Sequence, residues 1–180
     1  MKLAFLALLM IQMGFAQTFF VGSSQGPTLK QDFNFSTLSI GVIQPSNDEF
    51  TRNSYFLEFG SDKANVSAAS GLVNILVDIE YLHLNFAQQY SLSANSWLEL
   101  GLGAGLAKTK GDTTLSGNTR SYSSNALSAQ AFARTGFTLS HGLSTYAGAK
   151  FVYLSETHFG AVSYEGISDF ILEVGLRWSF

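Results

Sequence analysis

The sequence predicts an all-β protein, folded as one eight-stranded antiparallel up-and-down transmembrane β-barrel. Three observations lead there. Many short stretches alternate apolar and polar residues with a period of two, the periodicity of strands. Charged residues make up 13% and aromatics 14% of the chain, whereas soluble domains carry roughly 25% charged residues. Yet no stretch after residue 16 holds the roughly 20 apolar residues of a membrane helix. Apolar residues spread singly over alternate positions are what a membrane barrel requires, because every second side chain faces lipid.

The first residues form a leader. Lys2 opens a short positive region, and Leu3 to Ile11 is an apolar run too short to span a bilayer. Gly14 and Ala16 place small residues three and one before a cut, so a signal peptide over 1–16 is expected, with cleavage between Ala16 and Gln17. Residues 17–180 then form a single domain. The chain has no Cys, which excludes disulfide staples and a lipid-anchored cysteine. A net charge of −3 without a basic cluster excludes a nucleic-acid partner. No motif for a cofactor or a metal is present.

Taken in order, Gln17 to Ser24 is the first strand, broken at Gln25-Gly26-Pro27. Phe33 to Gln44 is the second, with Leu38, Ile40 and Val42 on one face; Phe33 and Phe35 fall on the wrong parity and call for a bulge or a rim position. Arg52 to Asp62 is the third, with Tyr55, Leu57 and Phe59 outward and Glu58 inward. Leu72 to Ser91 is the fourth. Its apolar set is Val73, Ile75, Val77, Ile79 and Tyr81, then flips to Leu82, Leu84 and Phe86, which predicts a bulge near Tyr81-Leu82 and sends Asp78 and Glu80 inward. Its β-branched and aromatic content argues against a helix.

Trp97 to Lys108 is the fifth strand, with Leu98 to Leu106 outward and Trp97, Glu99, Gly101, Gly103 and Gly105 inward. The polar stretch 109–124 reads as the longest loop. Asn125 to Ser140 is the sixth strand, with Arg134 and Gln130 inward. Leu143 to Ser155 is the seventh, with Tyr146 and Lys150 inward. After a loop over 156–166, Asp169 to Phe180 is the eighth, its outer face Phe170, Leu172, Val174, Leu176, Trp178 and Phe180. Short and long connections alternate, as in outer-membrane barrels.

Two stretches carry a resemblance. Trp178 and Phe180 at the end of the last strand resemble the terminal-strand signal that bacterial outer-membrane assembly machinery reads. The segment Tyr81-Leu82-His83-Leu84-Asn85-Phe86, followed after a turn by Trp97-Leu98-Glu99-Leu100-Gly101-Leu102-Gly103-Ala104-Gly105, resembles the central hairpin of the small outer-membrane β-barrel domain family. It departs from the family at His83-Leu84-Asn85, where an acid and a Pro are common. The resemblance implies a fold and a location in the cell outer membrane, among its lipid and lipopolysaccharide, rather than an activity.

The chemistry-bearing set is inward: Glu58, Asp78, Glu80, Glu99, Arg134, Lys150, Glu173 and Arg177, together with Tyr146. Charges inside a narrow barrel have to be paired, and an eight-stranded barrel is just filled by its own side chains. A salt-bridged plug is therefore expected. The rival is a narrow ion path, which the excess of acids over bases would bias toward cations. The spacing of Gly101, Gly103 and Gly105 is not that of a nucleotide loop; inward glycines that make room for bulky neighbours such as Tyr146 explain it better. His83, His141 and His158 are scattered. Only Ser155, Glu156 and His158 hint at a hydrolytic cluster, without the flanking pattern of lipid A deacylases. Lys108, Lys110, Asp112 and Arg120, in or beside the stretch 109–124, could meet a surface ligand. The expectation is a non-enzymatic barrel with a structural or surface-interaction role; a low-conductance channel, a lipid-modifying enzyme and a soluble lipocalin-like carrier are the alternatives.

Overall fold

A computed structural model describes residues 18–27, 34–46, 48, 50–68, 73–115, 118–140, 142–159, 162–164 and 167–180. The expected leader, its cut at Ala16-Gln17, Phe33 and His141 lie outside them. The strands are β1 (Thr18–Pro27), β2 (Asn34–Pro45), β3 (Thr51–Ala68), β4 (Val73–Ser91), β5 (Ser96–Leu115), β6 (Asn118–Ser140), β7 (Leu143–Leu154), β8 (Thr157–Phe159), β9 (Val162–Tyr164) and β10 (Ile167–Ser179). Eight of them close a barrel in the order β1-β10-β7-β6-β5-β4-β3-β2, and β8-β9 form a separate hairpin. Every neighbouring pair in the ring is antiparallel. Closure removes the sheet edge, which hydrocarbon would leave unpaired.

The turn end of the barrel is tight. Leu92 and Ser96 close the β4–β5 turn, and Gly142 turns β6 into β7 at φ 84°. The strands run well past the expected loops at the other end. β1 continues through Gln25-Gly26-Pro27, with Pro27 opposite Asn34. The described residues of the stretch 109–124 are strand, not loop: β5 and β6 pair from Thr109 opposite Ser124 up to Leu115 opposite Asn118. β3 and β4 likewise pair as far as Ala68 opposite Val73.

The bulge expected near Tyr81-Leu82 is absent. β4 keeps unbroken register with β3 and with β5. Its faces never exchange; their polarity does. Leu82, Leu84 and Phe86 face out, and on the same face beyond Leu82 stand Glu80 and Asp78. The inner face carries His83 and Asn85, then Tyr81, Ile79 and Val77, all buried. The row Phe59-Leu82-Leu106-Leu127 is the last apolar outer row on β3 to β6; the next is Ser61-Glu80-Lys108-Asn125. This is where the wall leaves the bilayer. Inside lipid the outer face has to be apolar; beyond it, water accepts charges outside and the apolar side chains turn in. Phe35 obeys the same rule: it is an ordinary inward residue, 1% exposed, in a strand without a bulge.

Inward glycines accept rings from neighbouring strands. A Cβ on Gly101 would collide with the Phe132 ring, and one on Gly175 with the Tyr146 ring. Tyr146 thus sits over Gly175, while the glycines of β5 make room for Phe132, Asn85 and the β4 backbone. Gly101→Leu should overpack this layer and cost about 1–3 kcal/mol. The expected readout is a lower thermal midpoint for loss of the compact, unboiled band on a heat-modifiability gel, partly recovered by adding Phe132→Ala.

Candidate functional site

The lumen is layered. At the loop end, Phe35, Val77, Ile79, Tyr81, Ala107, Ala126, Val152, Leu154 and Ile171 form one apolar cluster. Its Phe35 and Tyr81 rings stack at 5.9 Å. Toward the turn end, Phe20, Ile43, Phe56, Ala87 and Phe132 form a second cluster. The charges lie at and between these layers.

Arg134 on β6 is the hub. Its Nε and Nη2 donate to Glu173 on β10 at 2.5 and 3.3 Å, and Nη2 also donates to Glu58 on β3 at 3.0 Å. Nη1 reaches Glu99 on β5 at 3.5 Å. The guanidinium stacks 4.2 Å from the Phe132 ring centroid and 5.2 Å from that of Tyr146. Lys150 Nζ donates to Glu58 at 2.6 Å, lies 3.5 Å from Glu173 and sits against the Phe35 ring. Arg177 grips Glu99 with two bonds of 2.8 Å and stacks on Phe20 and Trp97. Ser24 Oγ donates to Glu173 at 2.8 Å, and Gln130 Nε2 donates to both Glu58 and Asn85. All six charged side chains are at most 3% exposed.

Of the residues expected here, Glu58, Glu99, Arg134, Tyr146, Lys150, Glu173 and Arg177 come together. Asp78 and Glu80 do not. They lie on the outer face of the loop-end extension, where Lys110 Nζ meets Glu80 at 3.4 Å with both side chains about half exposed. The cause is the bilayer boundary on β4 described above. Without them, Glu58, Glu99 and Glu173 face Arg134, Lys150 and Arg177, and the expected acid excess becomes a balance.

Sequence reasoning set Gln130 and Ser128 inward without counting them in the network, and missed His83 and Asn85 altogether. His83 Nε2 and Ser128 Oγ are 2.7 Å apart, and Ser128 also donates to the Tyr153 carbonyl. The His83 ring packs 4.6 Å from that of Tyr81. This Ser–His pair is buried between the apolar cluster and the ion network, with His83 and Ser128 both closed off from solvent. Even the simple inward parity of β4, continued past Leu82, would have found His83 and Asn85. Of the other expected cluster, Ser155 accepts a hydrogen bond from the Leu127 amide and Glu156 is exposed. Trp178 and Phe180 stand on the outer face, 62% and 73% exposed.

No protein-family model matches the chain, and no curated protein matches it in sequence. Solved structures match it in shape. A major outer membrane protein from Thermus thermophilus aligns at a TM-score of 0.68 and 13% identity, over 92% of this chain and 100% of that one. Neisserial surface protein A aligns at 0.52 and 12% identity, over 91% of this chain and 96% of that one. The chain has the fold of the small bacterial outer-membrane β-barrels.

Breaking the hub should be severe. Arg134→Met leaves three buried carboxylates facing two bases, a change worth about 3–5 kcal/mol when one partner of a buried pair is lost. Denaturant unfolding in lipid vesicles should show the midpoint fall accordingly. Adding Glu173→Gln should restore part of the loss, because the uncompensated charge goes with it.

Proposed function

We propose that this outer-membrane barrel is a closed, non-enzymatic anchor whose work is done at the cell surface by the strand pairs that extend beyond the bilayer. One observation carries this: the lumen is plugged, with an apolar cluster at the loop end and a charge-balanced ion network beneath it, so that the cavity of about 170 Å³ at the turn end stops at Arg177 and Trp97. An ion would have to break bidentate and buried pairs to pass, which is costly in a low-dielectric interior. A soluble carrier would keep an apolar cavity inside and a polar wall outside. This wall instead exposes Leu84 at 65%, Leu102 at 66% and Leu127 at 67%.

The extensions are paired sheet rather than loose loop. A rigid scaffold that holds polar side chains clear of the membrane is how barrels present binding residues. Lys108, Lys110 and Asp112 stand on the outer face of β5, beside the exposed Ser121, Ser123 and Asn125 of β6. Their position just beyond the apolar rows suits contact with lipopolysaccharide or with a surface ligand.

In planar bilayers the purified barrel should give no conductance steps above baseline; steady openings would favour the channel. On intact cells, Ser123→Cys should react with a membrane-impermeant maleimide and Asn95→Cys, at the turn end, should not. The reverse pattern would place the extensions in the periplasm.

A further inference from the structure

The apolar belt around the barrel is uneven. On β10 the outer face is apolar from Phe170 through Leu172, Val174, Leu176 and Trp178 to Phe180. That is about 33 Å along the strand and, at the tilt of such barrels, about 25 Å along the membrane normal. β6 keeps an outer face of Leu, Ala, Thr and Phe from Leu127 to Leu139. β2, by contrast, exposes only Leu38 and Ile40, with Val42 on the same face but covered, before reaching Ser36 on one side and Gln44 on the other. β3 offers Tyr55, Leu57 and Phe59 between Asn53 and Ser61. β4 offers Leu82, Leu84 and Phe86 between Glu80 and Gln88. Each of these strips rises about 10 Å along the normal. On β1 the outer face turns polar at Ser23 and Gln25, although these pair with Leu176 and Val174 of the tall β10 belt.

We propose that the wall formed by β1 to β4 thins the bilayer locally and that lipid headgroups and their water settle on its two polar margins. The loop-side margin is Gln25, Ser36, Ser61 and Glu80, which are successive partners across the four strands. The turn-side margin is Gln44, Asn53 and Gln88, also successive partners. The order polar, apolar, polar on β2, β3 and β4 is the cross-section of a bilayer, compressed; β1 joins at the loop-side margin only. A second copy of the chain docked on this wall would have no need of that order, and would have to bury the margins. The polar groups also bond within the margins as interfacial groups do: Ser36 and Ser61 hydroxyls are 3.2 Å apart, and the Tyr90 hydroxyl donates to Gln88 at 2.6 Å. A belt shorter than the hydrocarbon is accommodated by thinning of the lipid around it, at a modest cost per ångström. The step is sharpest at the β1–β10 seam, where a shallow outer groove runs between Ser23, Gln25, Val174 and Leu176. The inference rests on the barrel spanning a membrane, not on what its surface binds.

The chain has no Cys, so single cysteines can report depth. Bimane would be attached to Ser61→Cys and Asn53→Cys on the short wall and to Leu172→Cys on β10. Each labelled barrel would be placed singly in phosphatidylcholine nanodiscs carrying bromines at set acyl-chain depths or exposed to aqueous iodide. Iodide should quench the labels at 61 and 53 at least severalfold more than mid-chain bromine does, and Leu172→Cys should show the reverse. Bromine-dominated quenching at 61 or 53 would overturn the proposal and leave the barrel intact. Aqueous quenching at 172 would overturn membrane insertion itself. Protection from both quenchers, with disulfide-linked dimers through Ser61→Cys in vesicles, would overturn it in favour of a second copy. In a second measurement, the variant Ser36→Leu, Asn53→Leu, Ser61→Leu, Gln88→Leu should move the acyl-chain length for fastest folding upward by about two to four carbons. An unmoved optimum would overturn the thinning.

Discussion

Arg134 reaches three carboxylates from three other strands, Glu58 of β3, Glu99 of β5 and Glu173 of β10, and these span the ring. Hydrocarbon outside the barrel forces every charge of the spanning segment inward. A narrow lumen then strips those charges of water, so each has to find an opposite partner. The contacts of Arg134 are the consequence of both demands. They also make the ion network a cross-brace: a slip of one strand by one residue would send its charges into lipid and leave its partners across the lumen unpaired. Aromatic rings seal the brace from both sides, with Phe132 and Tyr146 on Arg134, Phe35 on Lys150, and Phe20 and Trp97 on Arg177.

The same solvent argument explains why the loop end looks like a soluble protein. Past Leu82 the surroundings change from lipid to water, and the pattern inverts without any change in backbone. Tyr81, Ile79 and Val77 can pack inward because the charges that would have competed for the interior, Glu80 and Asp78, meet water outside. The apolar cluster they form with Phe35, Val152, Leu154 and Ile171 lies directly over the ion network. It excludes water from that network, which strengthens each pair, and it ties the extended strand pairs into one body.

Most of the spanning segment was legible, because period-two alternation survives wherever one face meets lipid. The inward positions of Glu58, Glu99, Arg134, Tyr146, Lys150, Glu173 and Arg177 follow from parity alone. What parity could not supply was the medium on each side. A flip of the apolar set at Tyr81-Leu82 has two physical causes, an extra residue in the strand or a change of solvent, and they look alike in one strand. The neighbours distinguish them: Glu80 pairs with Lys108, and Ser61 and Asn125 extend the row, so four strands turn polar outside at once. A bulge would have shifted one strand only. The polar stretch 109–124 misled for a related reason. Ser, Thr and Gly mark loops in most chains, yet a ladder with water on its outer face needs few apolar residues to persist once its partner strand continues beside it.

Which strand pairs with which is also what makes the uneven belt visible. Along any single strand, Leu38-Ile40-Val42 or Tyr55-Leu57-Phe59 is an ordinary short membrane strand. Set in register, the short strips of β2, β3 and β4 lie side by side, and their polar flanks join into continuous margins from Gln25 to Glu80 and from Gln44 to Gln88. β10, which closes the ring on β1, carries an apolar face more than twice as long. A barrel cannot tilt to satisfy both walls, because tilting deepens one side as it lifts the other while leaving the height of each strip unchanged. The lipid is softer than a braced, closed sheet. The mismatch on the β1–β4 side therefore falls on the bilayer, and the rigidity that Arg134 lends the lumen decides which of the two deforms.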